Sequence, residues 1–167
     1  GLGLVQQLII QTSVIFNMPT FCIAEDSAYD HIQKIKNLVD LMDATEFFYF
    51  GTLCQRNEDS RSTLMDLLSV GDVTTVYDVN LRKGIPSWKA ILTNSLKFST
   101  ILKVNEVEFN IVKDLMGCRI MEQFFNKTAV DYVFVTLGDK GACLYPRLGD
   151  VLLVDAPDIE VVDTTGC

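Results

Sequence analysis

The feature that most constrains this chain is a repeated pattern: a short apolar run, a polar or glycine-bearing loop, then a helical or turn pattern. Glu46–Phe50 is an aromatic run closed by Gly51, and it reads as a buried strand. Thr74–Tyr77, Thr100–Val104 and Tyr132–Thr136 are rich in β-branched and aromatic residues and read as strands as well. Between them, Leu64, Leu67 and Leu68 recur at helical spacing after Ser60, which is expected to cap that helix, and Gly71 is expected to stop it. Pro86 opens a helix expected to run to about Phe98. Asn105 opens one to Met116, and a further helix covers roughly 119–128. Alternation of this kind predicts an α/β fold with a mostly parallel sheet. Ala142–Tyr145 and Val151–Val154 read as an antiparallel pair around Pro146–Asp150. Upstream, 4–16 and 20–24 read as two strands separated by Asn17-Met18-Pro19. Asp26 or Ser27 caps a helix expected to run through Ala28, Ile32, Ile35, Leu38, Val39 and Met42.

Composition narrows the function. With 167 residues and 49% hydrophobic content the chain can bury one real core. Its net charge of -8, without a basic cluster, argues against nucleic acid, because nothing is present to neutralise a run of phosphates. A small anion remains accessible to a few backbone amides and one or two basic side chains. The apolar stretch to Phe16 is interrupted by Gln6, Gln7 and Gln11, so no membrane span is expected. The five cysteines show no C-x-x-C pair, which makes zinc improbable and suits reduced thiols in the cytoplasm. His31 is the only histidine; it falls on a predicted helix and reads as a surface or packing residue rather than a base.

In open α/β sheets, ligands bind beyond the carboxyl ends of the strands. The residues there are Gly51 to Arg56, Asp78, Asn80, Arg82, Asn105, Glu108, Thr136, Gly138 and Gly141. Each group has a local explanation too. Asn105-x-x-Glu108 is a capping box, in which Asn accepts an N3 amide and Glu reaches back; the same carboxylate at a helix start can orient a metal-bound water. Gly138-Asp139-Lys140-Gly141 is either a hairpin turn or a glycine loop that lets phosphate approach the backbone. Arg56 and Arg82 read as loop charges, with Glu58 or Asp59 as partners for Arg56. Asp163-Thr164-Thr165-Gly166-Cys167 follows the apolar run at 159–162. It can begin a helix whose free N–H groups face an anion, or it is a surface turn.

Five of these motifs together resemble the ribokinase-like (PfkB) carbohydrate kinase family, within it the fructokinase-type branch. They are Gly51-Thr52-Leu53-x-Gln55-Arg56-x-x-x-Ser60-Arg61, Asp78-x-Asn80-x-Arg82, Lys103-x-Asn105-x-x-Glu108, Val135-Thr136-Leu137-Gly138-x-x-Gly141 and Asp163-Thr164-Thr165-Gly166-Cys167. Pro19-Thr20-Phe21 followed by Ala28-Tyr29-Asp30 resembles that branch as well. The resemblance implies a three-layer αβα sandwich with a small β lid: possible lid strands over about 1–24 and core over about 25–167. It implies transfer of the ATP γ-phosphoryl group to a sugar hydroxyl. Lys103, Asn105, Thr136, Gly138 and Gly141 would serve the nucleotide. Asn105 and Glu108 would help place Mg2+. Asn80, Arg82 and Arg56 would serve the sugar or the transferred group, with Arg82 also counted among the catalytic positions. Asp163 and Thr165 would bind a monovalent cation such as K+. Thr164 and Gly166 would begin the anion hole.

The resemblance also implies a Gly-Asp after Cys167, with that Asp as general base. A chain that starts without Met and stops at such a point is expected to be an internal portion of a longer enzyme, inactive alone, since general acid–base assistance is worth about 10²–10⁴-fold. Ribose, 2-keto-3-deoxygluconate or a nucleoside are the competing substrates, and a noncatalytic nucleotide- or sugar-binding module is the competing role. Lid strands of this family often pair between subunits, so a homodimer is the expected assembly.

Overall fold

The computed structural model describes residues 10–11, 20–21, 23–70 and 73–158. Six strands form one sheet in the order of the chain: β3 (Phe47–Gly51), β4 (Thr74–Asp78), β5 (Ile101–Asn105), β6 (Tyr132–Thr136), β7 (Ala142–Pro146) and β8 (Leu152–Val154). The pairs from β3 to β6 are parallel, and β7 runs antiparallel to both of its neighbours. Parallel neighbours need crossovers. Helix α2 (Glu58–Leu68) links β3 to β4, α3 (Trp88–Ser95) links β4 to β5, and α4 (Glu106–Leu115) with α5 (Met121–Lys127) links β5 to β6. The expected α/β class with a mostly parallel sheet is therefore the observed one. A separate antiparallel pair joins β1 (Ile10–Gln11) to β2 (Thr20–Phe21), with Ile10 opposite Phe21. The remainder of the expected strands over 4–16 and 20–24, and Gly71, lie outside the described residues.

Strand register explains the core. Phe50, Tyr77, Leu102, Val133 and Tyr145 align across the sheet on one face. Leu64 and Leu68 of α2, Leu92 of α3 and Leu96 just after it, Val112 of α4 and Phe124 of α5 pack with that face, all buried. The alternate residues point the other way. Tyr49, Val76, Ile101 and Tyr132 are also in register, and Val76, Ile101, Lys103, Tyr132, Phe134 and Leu144 border a hollow of about 380 Å3. Residues 46–50 were expected to be a buried strand, yet Phe47 and Tyr49 of β3 are 62% and 61% exposed. The strand lies at the sheet edge, and only its alternate residues meet the helices.

Three helices differ from expectation in where they begin. Instead of one helix through Ala28–Met42, there is a 3-10 turn at Ala28–Asp30, a non-helical stretch at 31–35, and α1 (Lys36–Asp43). The Asp30 carboxylate turns back to the Ser27 N–H (2.9 Å), and the Ile32 N–H donates to Ser60 Oγ (2.8 Å) rather than to a helical carbonyl. His31 consequently lies off any helix and pairs with Asp26. Ser60, engaged by Ile32, does not cap α2. Asn57 does, its side chain accepting from the Asp59 N–H at 3.0 Å. Helix α3 begins at Trp88, after Ser87 in the left-handed region (φ 52), and closes at Ser95 rather than near Phe98.

Candidate active site

The parallel register brings the carboxyl ends of β3 to β6 together. Gly51 pairs with Asp78, Asp78 with Lys103, and Asn105 with Thr136. By strand alternation Asp78, Lys103, Asn105 and Thr136 all lie on the face away from α2–α5. The Lys103 ammonium donates to Asp78 Oδ2 at 2.6 Å, and the Tyr49 hydroxyl donates to the same oxygen. Partial burial and the carboxylate beside it push the Tyr49 hydroxyl pKa up to about 12, so it remains a donor. Lys103 is thus an oriented cation at the strand ends, its side chain 39% exposed.

The loop after β4 is held from below and open above. Val79 is buried, and its N–H donates to the Lys103 carbonyl (3.0 Å). The Leu81 N–H donates to Glu108 Oε1 (2.7 Å). Asn80, between them, adopts φ 34 and is exposed; Arg82, Lys83 and Gly84 are exposed as well. Neither Asn80 nor Arg82 has a side-chain hydrogen bond or ion pair among the described residues. Glu108 is the centre of this arrangement. Its carboxylate is buried, with Oε2 accepting from the Asn105 N–H (3.0 Å), while Asn105 Oδ1 accepts from the Glu108 N–H (2.8 Å). The capping box expected from the sequence is present, and one carboxylate oxygen is left to serve a second loop.

The loop after β6 is a hairpin connection and a glycine loop at once. Thr136 Oγ1 donates to the Val104 carbonyl (3.4 Å), and the Leu137 N–H closes the turn on the Gly141 carbonyl (2.8 Å). Gly141 has φ 92, and a Cβ there would lie 1.9 Å from the Val154 carbonyl oxygen, so no larger residue fits. Gly138 has φ 64, and a Cβ there would meet nothing within 4 Å. Backbone at Gly138 is therefore open to an approaching group.

Arg56, expected to serve the sugar or the transferred group, is held by its own chain. Its Nε and Nη2 donate to Asp30 Oδ1 and Oδ2, both at 2.6 Å, and Nη2 also reaches the Ala24 carbonyl at 2.6 Å. Its guanidinium lies over the Tyr29 ring, 5.1 Å from the centroid. The hydrogen bonds from Arg56 hold the Asp30 carboxyl below its ordinary range. The anticipated partners do not pair with Arg56: Glu58 bonds Arg61 instead (3.1 Å). The rest of that motif also turns inward. Thr52 Oγ1 bonds the Tyr77 hydroxyl (2.7 Å), and Gln55 Nε2 donates to the Gly51 carbonyl (2.9 Å) and to Ser95 Oγ (3.0 Å). Thr52 and Gln55 are fully buried.

Sequence reasoning missed Tyr49 and the pairings of Asp30 and Asp78. Asp78 opposite Lys103 was within reach, because both sit at equivalent positions of adjacent strands. The pairing of Asp30 with Arg56, 26 residues apart, carries no local signal. Asp163, Thr164, Thr165, Gly166 and Cys167 lie outside the described residues. No group of three or more His, Cys, Asp or Glu suited to hold a metal occurs among the described residues.

Residues 16–167 match the pfkB family carbohydrate kinase model, and the chain belongs to that family. A curated sugar kinase of Pyrococcus horikoshii is 26% identical over 159 residues, which are 89% of this chain and 47% of that protein. The crystal structure of an uncharacterized sugar kinase from Pyrococcus horikoshii in complex with ATP superposes with a TM-score of 0.71 at 25% identity, over 90% of this chain and 49% of that one. The fructokinase of Vibrio cholerae O395, in a fructose-, ADP- and calcium-bound form, shares the fold with a TM-score of 0.66 at 23% identity, over 89% and 49% of the two chains. Aminoimidazole riboside kinase from Salmonella enterica shares it too, with a TM-score of 0.60 at 24% identity, over 73% and 43%. This chain spans about half the length of the relatives it matches.

Proposed function

We propose that this chain carries the phosphate- and sugar-facing strand ends of an enzyme that transfers the γ-phosphoryl group of ATP to a sugar hydroxyl, with fructose the first substrate to try. The observation that carries the reading is the convergence of four polar residues at the ends of three strands, Asp78, Lys103, Asn105 and Thr136, beside a loop whose Asn80 and Arg82 are exposed with no partner among the described residues. Phosphoryl transfer asks a protein chiefly for positioning and charge neutralisation, and these residues supply both.

In this reading Lys103, Asn105, Thr136, Gly138 and Gly141 form the nucleotide side. Lys103 is a fixed cation, and the bare backbone at Gly138 admits a phosphate. The donor set suits Mg2+ because it is sparse: that ion keeps several waters and is bound through one or two carboxylates together with substrate phosphates. Asn105 and Glu108 would orient those waters, and bound Mg2+ would spread the negative charge of the phosphates. Arg82, with Asn80, faces the sugar and the transferred group, where a guanidinium can clamp phosphate oxygens. Arg56 joins this set only through its Nη1, the one guanidinium nitrogen without a partner among the described residues. Thr164 and Gly166 would begin an anion hole, and Asp163 with Thr165 would bind K+. The β1–β2 pair belongs to a lid over about 1–24, above a core over about 25–167, and pairing of lids would make a homodimer. The scattered cysteines, of which Cys54, Cys118 and Cys143 are free thiols, fit a cytoplasmic enzyme.

The test is ADP release by the protein of the complete reading frame, with Mg2+, across fructose, ribose, 2-keto-3-deoxygluconate and nucleosides. Sugar-dependent ADP release is the expected result. Binding of ATP and sugar with no turnover would turn the reading into that of a noncatalytic module, and binding of neither would overturn it.

A further inference from the structure

The buried carboxylate of Glu108 does more than cap a helix. A capping box at the start of α4 needs only one carboxylate oxygen, the one that accepts from the Asn105 N–H. The other oxygen reaches the Leu81 N–H at 2.7 Å, 27 residues upstream and on a different loop. Glu108 is only 8% exposed. A carboxylate removed from water to that degree has to be compensated, and here two N–H donors and the N-terminus of a ten-residue helix do so.

We propose that Glu108 is a positioning residue that couples the nucleotide side of the cleft to the sugar side, by holding the loop on which Asn80 and Arg82 stand. What the loop does in catalysis rests on the kinase reading above; the clamp itself rests on geometry alone. The loop is pinned twice, at Val79 by the Lys103 carbonyl and at Leu81 by Glu108. Between the pins Asn80 sits at φ 34, in the positive-φ region that asparagine tolerates better than most non-glycine residues. Immediately after the second pin comes Arg82. The same carboxylate fixes Asn105 at the end of β5, so one side chain sets the relative position of residues assigned to two different substrates. Hydrogen bonds to an ionised acceptor are the strong ones, which suits a loop with few other attachments.

Amide hydrogen exchange on this chain, with and without Glu108→Ala, tests the clamp. Asn105 Oδ1 accepts from the backbone N–H at 108, so the start of α4 survives the substitution. The Leu81 amide is expected to exchange roughly tenfold to a hundredfold faster, the effect of losing a hydrogen bond to a charged acceptor, while the sheet amides of Val104 and Val135 keep their protection. Unchanged exchange at Leu81 overturns the clamp whatever the enzyme does. Should the alanine variant fail to fold, Glu108→Asp withdraws the carboxylate by one methylene and is expected to change exchange in the same direction.

In the enzyme of the complete reading frame, Glu108→Ala is expected to raise the KM for sugar about tenfold, and excess Mg2+ is not expected to restore it. A defect confined to the KM for ATP, or fully repaired by Mg2+, overturns the coupling and leaves Glu108 a metal-side role alone. If the unsubstituted enzyme phosphorylates no sugar, the kinase reading fails, and the exchange measurement still decides the clamp.

Discussion

Arg56 and Arg82 follow neighbouring parallel strands, β3 and β4, and both sit in motifs that resemble the same enzyme family. The structure uses them in opposite ways. Arg56 is folded back on Asp30, Ala24 and Tyr29, in a loop where Thr52 and Gln55 are fully buried. Arg82 is exposed on a loop whose attachments are made by its neighbours' backbone. A motif residue, then, can be maintained for the architecture of a site or for contact with its ligand, and residue type does not distinguish the two. Partner count does: a charge whose donors are spent inside the protein is a brace, and one with donors to spare is available to a ligand.

This contrast is open to direct test. The largest effect is expected from Gly141→Ala, which presses a Cβ into the Val154 carbonyl at a positive φ. It should cost upwards of about 4 kcal/mol and lower Tm by on the order of 10 °C; a melt within a degree or two of the parent would show that the turn can move aside. Next comes Arg56→Ala. Removing the half-buried Arg56 strands the buried Asp30 carboxylate, at about 3 kcal/mol, so its denaturation midpoint should fall well below that of Arg82→Ala. Equal midpoints for the two arginine variants would remove the distinction between brace and contact.

A pH series sharpens the same point. Asp30 has its folded pKa lowered by Arg56, so its contribution is present above the ordinary carboxyl value of about 4 and is lost as pH falls through the lower folded value. The stability difference between the parent and Asp30→Asn should therefore be full at pH 7 and close below about pH 4, as read from urea midpoints. A difference independent of pH would mean that packing, not the ion pair, holds the brace. Smaller still in stability is Gly138→Ala, at about 1–2 kcal/mol for a left-handed alanine, with a larger relative loss of ATP affinity. Arg82→Ala should lie within about 0.5 kcal/mol of the parent while reducing sugar phosphorylation most.

The architecture was legible because it is written in local patterns. The run Tyr132–Thr136, the capping box at Asn105 and Glu108, and the alternation of strand and helix each need only a few adjacent residues, and each appears where expected. What escaped were effects of distant partners. The helix through Ala28–Met42 fails because Ser60 and Arg56 capture Ile32 and Asp30, and β3 exposes Phe47 and Tyr49 because they lie on the sheet face away from α2–α5, as the exposed Tyr132 and Phe134 of β6 do. At the site, the residue types were readable but their employment was not. The Asp30 partner of Arg56 leaves no local trace, and Glu108 reads as a cap at one loop although its second oxygen serves another. Pairings over about 26 residues leave no periodicity to read.

The most direct measurement is phosphorus NMR of the complete-reading-frame protein mixed with MgATP and fructose, alongside its Arg82→Ala and Arg56→Ala variants compared at equal folded concentration. The account predicts a sugar phosphate ester accumulating with ADP in the parent, little of it in Arg82→Ala, and substantial amounts in whatever fraction of Arg56→Ala remains folded. Undiminished ester from Arg82→Ala, or none from the parent with any sugar tried, would contradict it.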